Sequence, residues 1–139
     1  GNIAPIEIAS RSIKVKHPDS FIASLDAWWV KAGELLPPHT FEVWEGLGHA
    51  GEGETSIVLH LYPQLTRMEN ARGVVPDLPD NLDIKWKFSE ITPCGATGDP
   101  TKGTPEKGEK MFKALVDCVV KFIREMERAG WKYGEKAKL

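Results

Sequence analysis

Between positions 105 and 129, Met111, Leu115, Val119, Phe122 and Met126 recur every three to four residues, while Lys110, Lys113, Lys121, Arg124 and Glu125 lie mainly off that line. That spacing describes one long helix with an apolar stripe along one side. A stripe of this length has to be laid on something, so the rest of the chain must build a surface for it. It is a core face, not a cofactor-binding box. Pro105 suits the first turn, where its missing N–H leaves no bond unmade. Thr104 precedes it, but Lys107 stands where a capping glutamate would, so the cap is imperfect. Gly130 ends the helix.

The surroundings predict an α/β domain. Residues 3–15 read as an amphipathic helix with Ile6, Ala9 and Ile13 on one face and Pro5 in its first turn. Residues 17–20 are a turn, which places His17 in solvent. Residues 21–25 are a buried-strand candidate, and residues 82–88 alternate apolar and polar like a half-exposed edge strand. Residues 31–47 read as a loop with room for a helical turn. The stretches 63–81 and 89–104 are irregular and rich in proline and glycine. A three-layer α/β arrangement follows from this order. With 139 residues, 41% of them hydrophobic, the chain can bury one modest core and forms no more than one domain.

Bulk properties exclude several partners. The net charge is −2 and no basic stripe points to nucleic acid. No apolar run approaches a membrane span, and no signal-peptide pattern opens the sequence. Cys94 and Cys118 lack a C-x-x-C spacing and fit free thiols in a reducing cytoplasm.

Chemistry concentrates in residues 48–56, where one imidazole, two carboxylates and two hydroxyls lie among three glycines. The apolar run 57–62 follows and Pro63 stops it, so a glycine-rich loop feeds a helix over 53–61. Glu52 and Glu54 fall where the positive end of a helix dipole favours anions, and Thr55 and Ser56 could bond to free amides of the first turn. His49 and Glu54 can be aimed at one point by the loop between them. That suits a metal or proton-transfer site, and it is equally a plain way to begin a helix. Metal ligation needs three or four ligands, and this stretch offers at most two or three. Trp28 and Trp29 cannot both face a core from extended chain, so at least one covers a pocket, an interface or a loop. Asp26 falls beside them at the end of the first strand candidate, where open α/β sheets bind ligands. His39 and His60 read as structural, His60 half-buried on an apolar helix face, and Asp99 as a brace of its loop.

His49-Ala50-Gly51-Glu52-Gly53-Glu54-Thr55-Ser56 resembles the H-(A/G)-G-x-x-E-T-S signature of the creatininase (creatinine amidohydrolase) family. Gly95-Ala96-Thr97-Gly98-Asp99-Pro100, followed by Pro105-Glu106-Lys107-Gly108, is similar to that family's second block. The resemblance runs from residue 1 to about residue 130 and corresponds to the C-terminal part of a family member. Gly1-Asn2 resembles the end of the family's N-G-H-G-G-N motif. The resemblance therefore implies that the motif's histidine, and the earlier Glu, His and Asp metal ligands, belong to an N-terminal part carried as a separate chain, or that this sequence is a fragment of a longer one. A tag glycine on a complete small protein is the alternative.

The resemblance implies α/β/α layers with a mainly parallel sheet. It also implies a metal-dependent amidohydrolase acting on a small-molecule amide with a non-peptide C–N bond. One or two divalent transition-metal ions (zinc, iron or manganese) activate the water. His49 matches the catalytic histidine and transfers the proton. Glu54 matches the signature glutamate and is expected to be a metal ligand, with orienting the water as the alternative, and Trp28, Trp29, Trp44 and Glu52 are expected to bind substrate. A homo-oligomer is expected, since family sites lie near interfaces. The substrate expected first is the formamide of a formamidopyrimidine nucleotide in riboflavin or deazaflavin cofactor synthesis, with creatinine itself as alternative. The competing expectation is a non-catalytic subunit or interaction module that retains the scaffold.

Overall fold

A computed structural model describes residues 2–25, 27–77 and 85–132. Five α-helices are defined among them: α1 Ile3–Lys16, α2 Trp28–Gly33, α3 Glu52–Leu61, α4 Phe88–Ile91 and α5 Pro105–Arg128. Short 3-10 turns occupy Trp44–Gly46, Pro63–Leu65, Met68–Asn70 and Pro100–Lys102. The chain divides into two compact units, one from residues 28–119 and one from residues 1–27 with 120–139.

In the unit of residues 28–119, Ala32, Met111, Ala114 and Leu115 are buried together, and Trp29, Leu36, Phe41, Ile57 and Cys118 pack against them. The stripe of α5 is thus filled from α2, α3 and the segment between α2 and α3. Full burial of a side chain the size of Met111 is worth about 1.5–3 kcal/mol. In the other unit Met126 is buried, and Phe21 meets Trp131 edge-on with ring centroids 5.6 Å apart. Helix α1 forms where periodicity places it, yet none of its residues is buried.

The expected sheet is not found among the described residues. Residues 21–25 belong to no regular element, and residues 85–87 join no ladder. Residues 82–84 of the second strand candidate lie outside the described residues, and Phe88, its last residue, opens α4 instead. The one strand-like pairing described is an isolated antiparallel bridge between Val74 and Gly98. Alternation of apolar and polar residues favours an extended course, but a strand exists only when a neighbour takes its hydrogen bonds. No helix among the described residues is long and apolar enough to cross a membrane. Both cysteines are free.

Candidate active site

Helix α3 begins at Glu52, one residue before the sequence-based expectation, and Gly51 before it gives no side-chain cap. The loop is anchored in other ways. The amide of Ala50 donates to Glu54 Oε2 at 2.7 Å, and the Thr55 hydroxyl donates to the Ala50 carbonyl at 3.3 Å. The amide of His49 donates to Thr97 Oγ1 at 3.0 Å, and the Thr97 amide donates to the His49 carbonyl at 2.8 Å. The two sequence blocks are therefore joined at His49 itself. Gly48 permits this approach: its φ is +111°, and any Cβ there would clash with the Thr97 carbonyl.

With its backbone held on both sides, the His49 side chain remains exposed. Its ring meets Phe88 edge-on, with centroids 4.8 Å apart and planes at 82°. Phe88 is the neighbour that sequence reasoning missed. It closes an alternating run and so reads as strand, whereas Glu90 Oε2 accepts from the Lys87 amide at 2.6 Å and caps α4 at this point.

Glu52 lies differently from a surface ligand group. It is fully buried. Oε2 accepts the amides of Glu42 and Val43, each at 2.9 Å, and Oε1 accepts from Lys107 Nζ at 2.5 Å. Lys107 Nζ also donates to Glu42 Oε1 and to the Lys102 carbonyl, each at 3.0 Å, so all three of its protons are taken. One ammonium thereby joins residue 42, the start of α3 and the turn before α5. Ser56 adds a second tie, accepting from the Thr104 amide at 3.1 Å and donating to the Glu52 carbonyl at 2.6 Å.

Partial burial works against the charged form of Lys107, but hydrogen bonds and charges from Glu52 and Glu42 outweigh it and hold the ammonium above the ordinary lysine range. Glu42 is held below the carboxylate range, mainly by its hydrogen bond to Lys107 and that ammonium's charge. The signs set a pH window. A depressed carboxylate stabilises above its unfolded pKa and loses that contribution as pH falls through the folded value. A raised lysine stabilises below its unfolded pKa and loses it as pH rises through the folded value. The melting temperature is expected to be flat between about pH 5 and pH 10 and to fall on either side. Glu42→Gln should flatten the acid limb in low salt. The effect should be small, since Glu42 is exposed and screened. An acid limb unchanged in the variant would remove Glu42 from the account.

The tryptophans separate. Trp28 and Trp44 are about four-tenths exposed, and Trp29 is half-buried. Trp28 and Trp29 meet edge-on at 6.3 Å. The Trp29 ring lies against the first turn of α3 at Gly53 and lines a cavity of about 280 Å³ with Val30, Phe41, Glu45 and Leu47. Its indole N–H is buried without a partner. Trp44 sits over Gly98 of the second block. The backbone between Trp44 and Gly51 is unusual: Trp44, Glu45 and Ala50 have φ of 46°, 53° and 46°. Left-handed non-glycine residues cost on the order of 1 kcal/mol or more each, and they persist only where surrounding contacts over-determine them.

The other expectations resolve as follows. Asp99 Oδ1 accepts from the Thr101 amide and hydroxyl at 3.0 and 2.6 Å, and its carboxylate packs at Gly73, so it braces its loop. His60 is half-buried near Phe112, and His17 and His39 are exposed. Asp26 lies outside the described residues. For a metal, Glu54 offers its second oxygen, but among the described residues no three His, Cys, Asp or Glu side chains gather to hold an ion. These residues alone do not make a complete metal site.

His49 is thus an exposed histidine on a loop tied to Thr97, three residues before the first residue of α3. The family profile for creatininase, described as creatinine amidohydrolase, matches residues 1–123. The chain belongs to the creatininase family. The mycofactocin precursor peptide peptidase of Mycobacterium ulcerans is 30% identical over 129 residues, covering 89% of this chain and 45% of that protein. The protein of the same name from Mycobacterium tuberculosis is 39% identical over 82 residues, covering 56% and 33%. A W154A mutant creatininase structure superposes with a TM-score of 0.61 at 25% identity, covering 86% of this chain and 49% of that one. The fold is creatininase-like, and the chain spans less than half the length of these curated relatives.

Proposed function

We propose that this chain supplies the proton-transfer part of an amide-bond hydrolase, with His49 delivering a proton to the leaving nitrogen. The observation that carries this is His49 itself, whose main chain is tied to Thr97 while its imidazole is left exposed. Cleaving a C–N bond requires protonation of the departing amine, and imidazole is the side chain suited to exchange a proton near neutrality. The rest of the site is supplied by the remaining part of the family's domain, and the assembly is a homo-oligomer. A divalent metal, when bound, supplies an activated water; solved creatininases include manganese and zinc forms. Of the residues here Glu54 would hold it.

The expected restriction to non-peptide bonds is not retained, because the curated relatives are named as peptide peptidases. Peptide amides join the formamide of a formamidopyrimidine nucleotide and creatinine as substrates to try. The test is incubation of the purified protein with peptide, formamide and lactam panels, reading released amine or formate by mass spectrometry. Native mass spectrometry of the same sample reads assembly. Turnover that depends on His49 supports the proposal. No turnover by an assembled, metal-loaded sample would favour a non-catalytic subunit.

Glu54→Gln gives a second, activity-independent check. It is expected to lower bound metal per chain by about tenfold at limiting metal, as loss of a ligand's charge does. Unchanged metal content would return Glu54 to its role as acceptor for the Ala50 amide.

A further inference from the structure

We infer that Lys107 is a positioning residue for His49: by closing on the buried carboxylate of Glu52, its ammonium holds the loop 44–51 in the course that presents the imidazole. Lys107 lies on α5, 58 positions along the sequence from His49, and does not act on it directly. Its reach is through Glu52. That carboxylate holds the amides of Glu42 and Val43, at the entry to the loop, from the first residue of the helix at the loop's exit. One side chain therefore closes residues 43 and 52 into a ring of backbone with His49 on it. Inside that ring Trp44, Glu45 and Ala50 keep left-handed backbone, which relaxes unless both ends are pinned.

Without Lys107 the Glu52 carboxylate would remain fully buried with no countercharge. Such a group draws in water or moves toward solvent, and either response pulls on the amides of residues 42 and 43. The loop would then keep its exit-side ties, the Thr97 pair at His49 and the Glu54 and Thr55 bonds at Ala50, while its entry at residues 42 and 43 is released. The inference rests on His49 being the reacting group only for its effect on rate. Its effect on the geometry of His49 can be read without substrate.

The test compares Lys107→Met, Lys107→Arg and Glu52→Gln in the protein as purified. Leu115→Ala, a core truncation that removes none of the Lys107–Glu52 bonds, serves as a control for loss of stability as such. The readout is the ring-current shift within the His49–Phe88 pair, by NMR, in samples shown to be folded by circular dichroism. Lys107→Met and Glu52→Gln are expected to lose at least about half of that shift, because a ring current fades steeply as two rings 4.8 Å apart separate. Lys107→Arg should restore most of it, since a guanidinium keeps the charge and the donors. Leu115→Ala should leave it unchanged.

With an active substrate in hand, Lys107→Met should lower kcat by about tenfold to a hundredfold with little change in KM, as misplacement of a reacting group does. If Lys107→Met does not fold, Glu52→Gln, which keeps the volume and removes the charge, decides alone. Wild-type shifts in both substitutions, or equal loss in Leu115→Ala, would overturn the inference. Shifts lost as expected, with no amide turned over by an assembled, metal-loaded sample, would sink the hydrolase reading and leave the positioning role standing.

Discussion

His49→Gln is expected to lower turnover of an amide substrate by about a hundredfold to ten-thousandfold, the range over which a positioned acid or base contributes. Stability should hardly move. The imidazole is exposed, and among the described residues its ring neighbour is Phe88. The bonds to Thr97 come from the His49 main chain and are kept when glutamine replaces the side chain. Glutamine keeps a polar group of similar reach and cannot exchange a proton near neutral pH. Progress curves would give kcat and KM separately. A fall in kcat with KM near wild type marks an interaction made in the transition state, whereas a rise in KM alone would mark substrate binding. The pH profile adds an independent mark: the limb that imidazole contributes in wild type should vanish in the variant. Retention of more than about a tenth of wild-type kcat would remove proton transfer from His49 and leave the loop as scaffold.

What could be read from sequence here follows the range of the forces involved. Helices α3 and α5 were legible because their signals are local: an apolar run between glycines and Pro63, and a three-to-four stripe ending at Gly130. The sheet was not legible, because alternation in residues 82–88 speaks of an extended chain and says nothing of a partner strand. Even α5 was half read. Besides its buried stripe it carries a second apolar row, Phe112, Val116, Val120 and Ile123, each 37–44% exposed.

The site shows the same division. His49 is placed by a motif of eight residues, but what orients it comes from Thr97, Phe88 and, through Glu52, Lys107, all of them 39 to 58 positions away. In sequence Glu52 reads as one of two equivalent acids at a helix start, and Lys107 as a flaw in a cap. Only the fold shows that each completes the other. The left-handed backbone of Trp44 and Glu45 also has no sequence mark, since glycine is the residue that usually announces it.

Gly108→Ala is expected to be the most damaging single-methyl change in the chain. Helix α5 crosses α3 here so closely that a Cβ on residue 108 would lie inside the carbonyl group of Ser56 and 2.9 Å from His60 Cβ. The obstacle is backbone, which a rotamer change cannot clear. Neither helix can easily shift. Ser56 is tied to the Thr104 amide and the Glu52 carbonyl, and Lys107, the preceding residue, holds Glu52. The alternative is to part the two helices and expose Met111 and Ile57 to water. We expect a loss of about 3 kcal/mol or more, at the upper end for overpacking, and a fall in melting temperature of roughly 10 °C. Gly33→Ala is the matched control. A Cβ at Gly33 meets nothing within 4 Å, and as the last residue of α2 the position gains part of the about 1 kcal/mol by which alanine exceeds glycine inside a helix. The same added methyl should therefore stabilise at 33 and disrupt at 108. If urea unfolding instead finds Gly108→Ala within about 1 kcal/mol of wild type, α3 and α5 do not cross at this distance. If the contrast holds, Gly108 is there because only a residue without a Cβ lets α5 pass the Ser56 carbonyl.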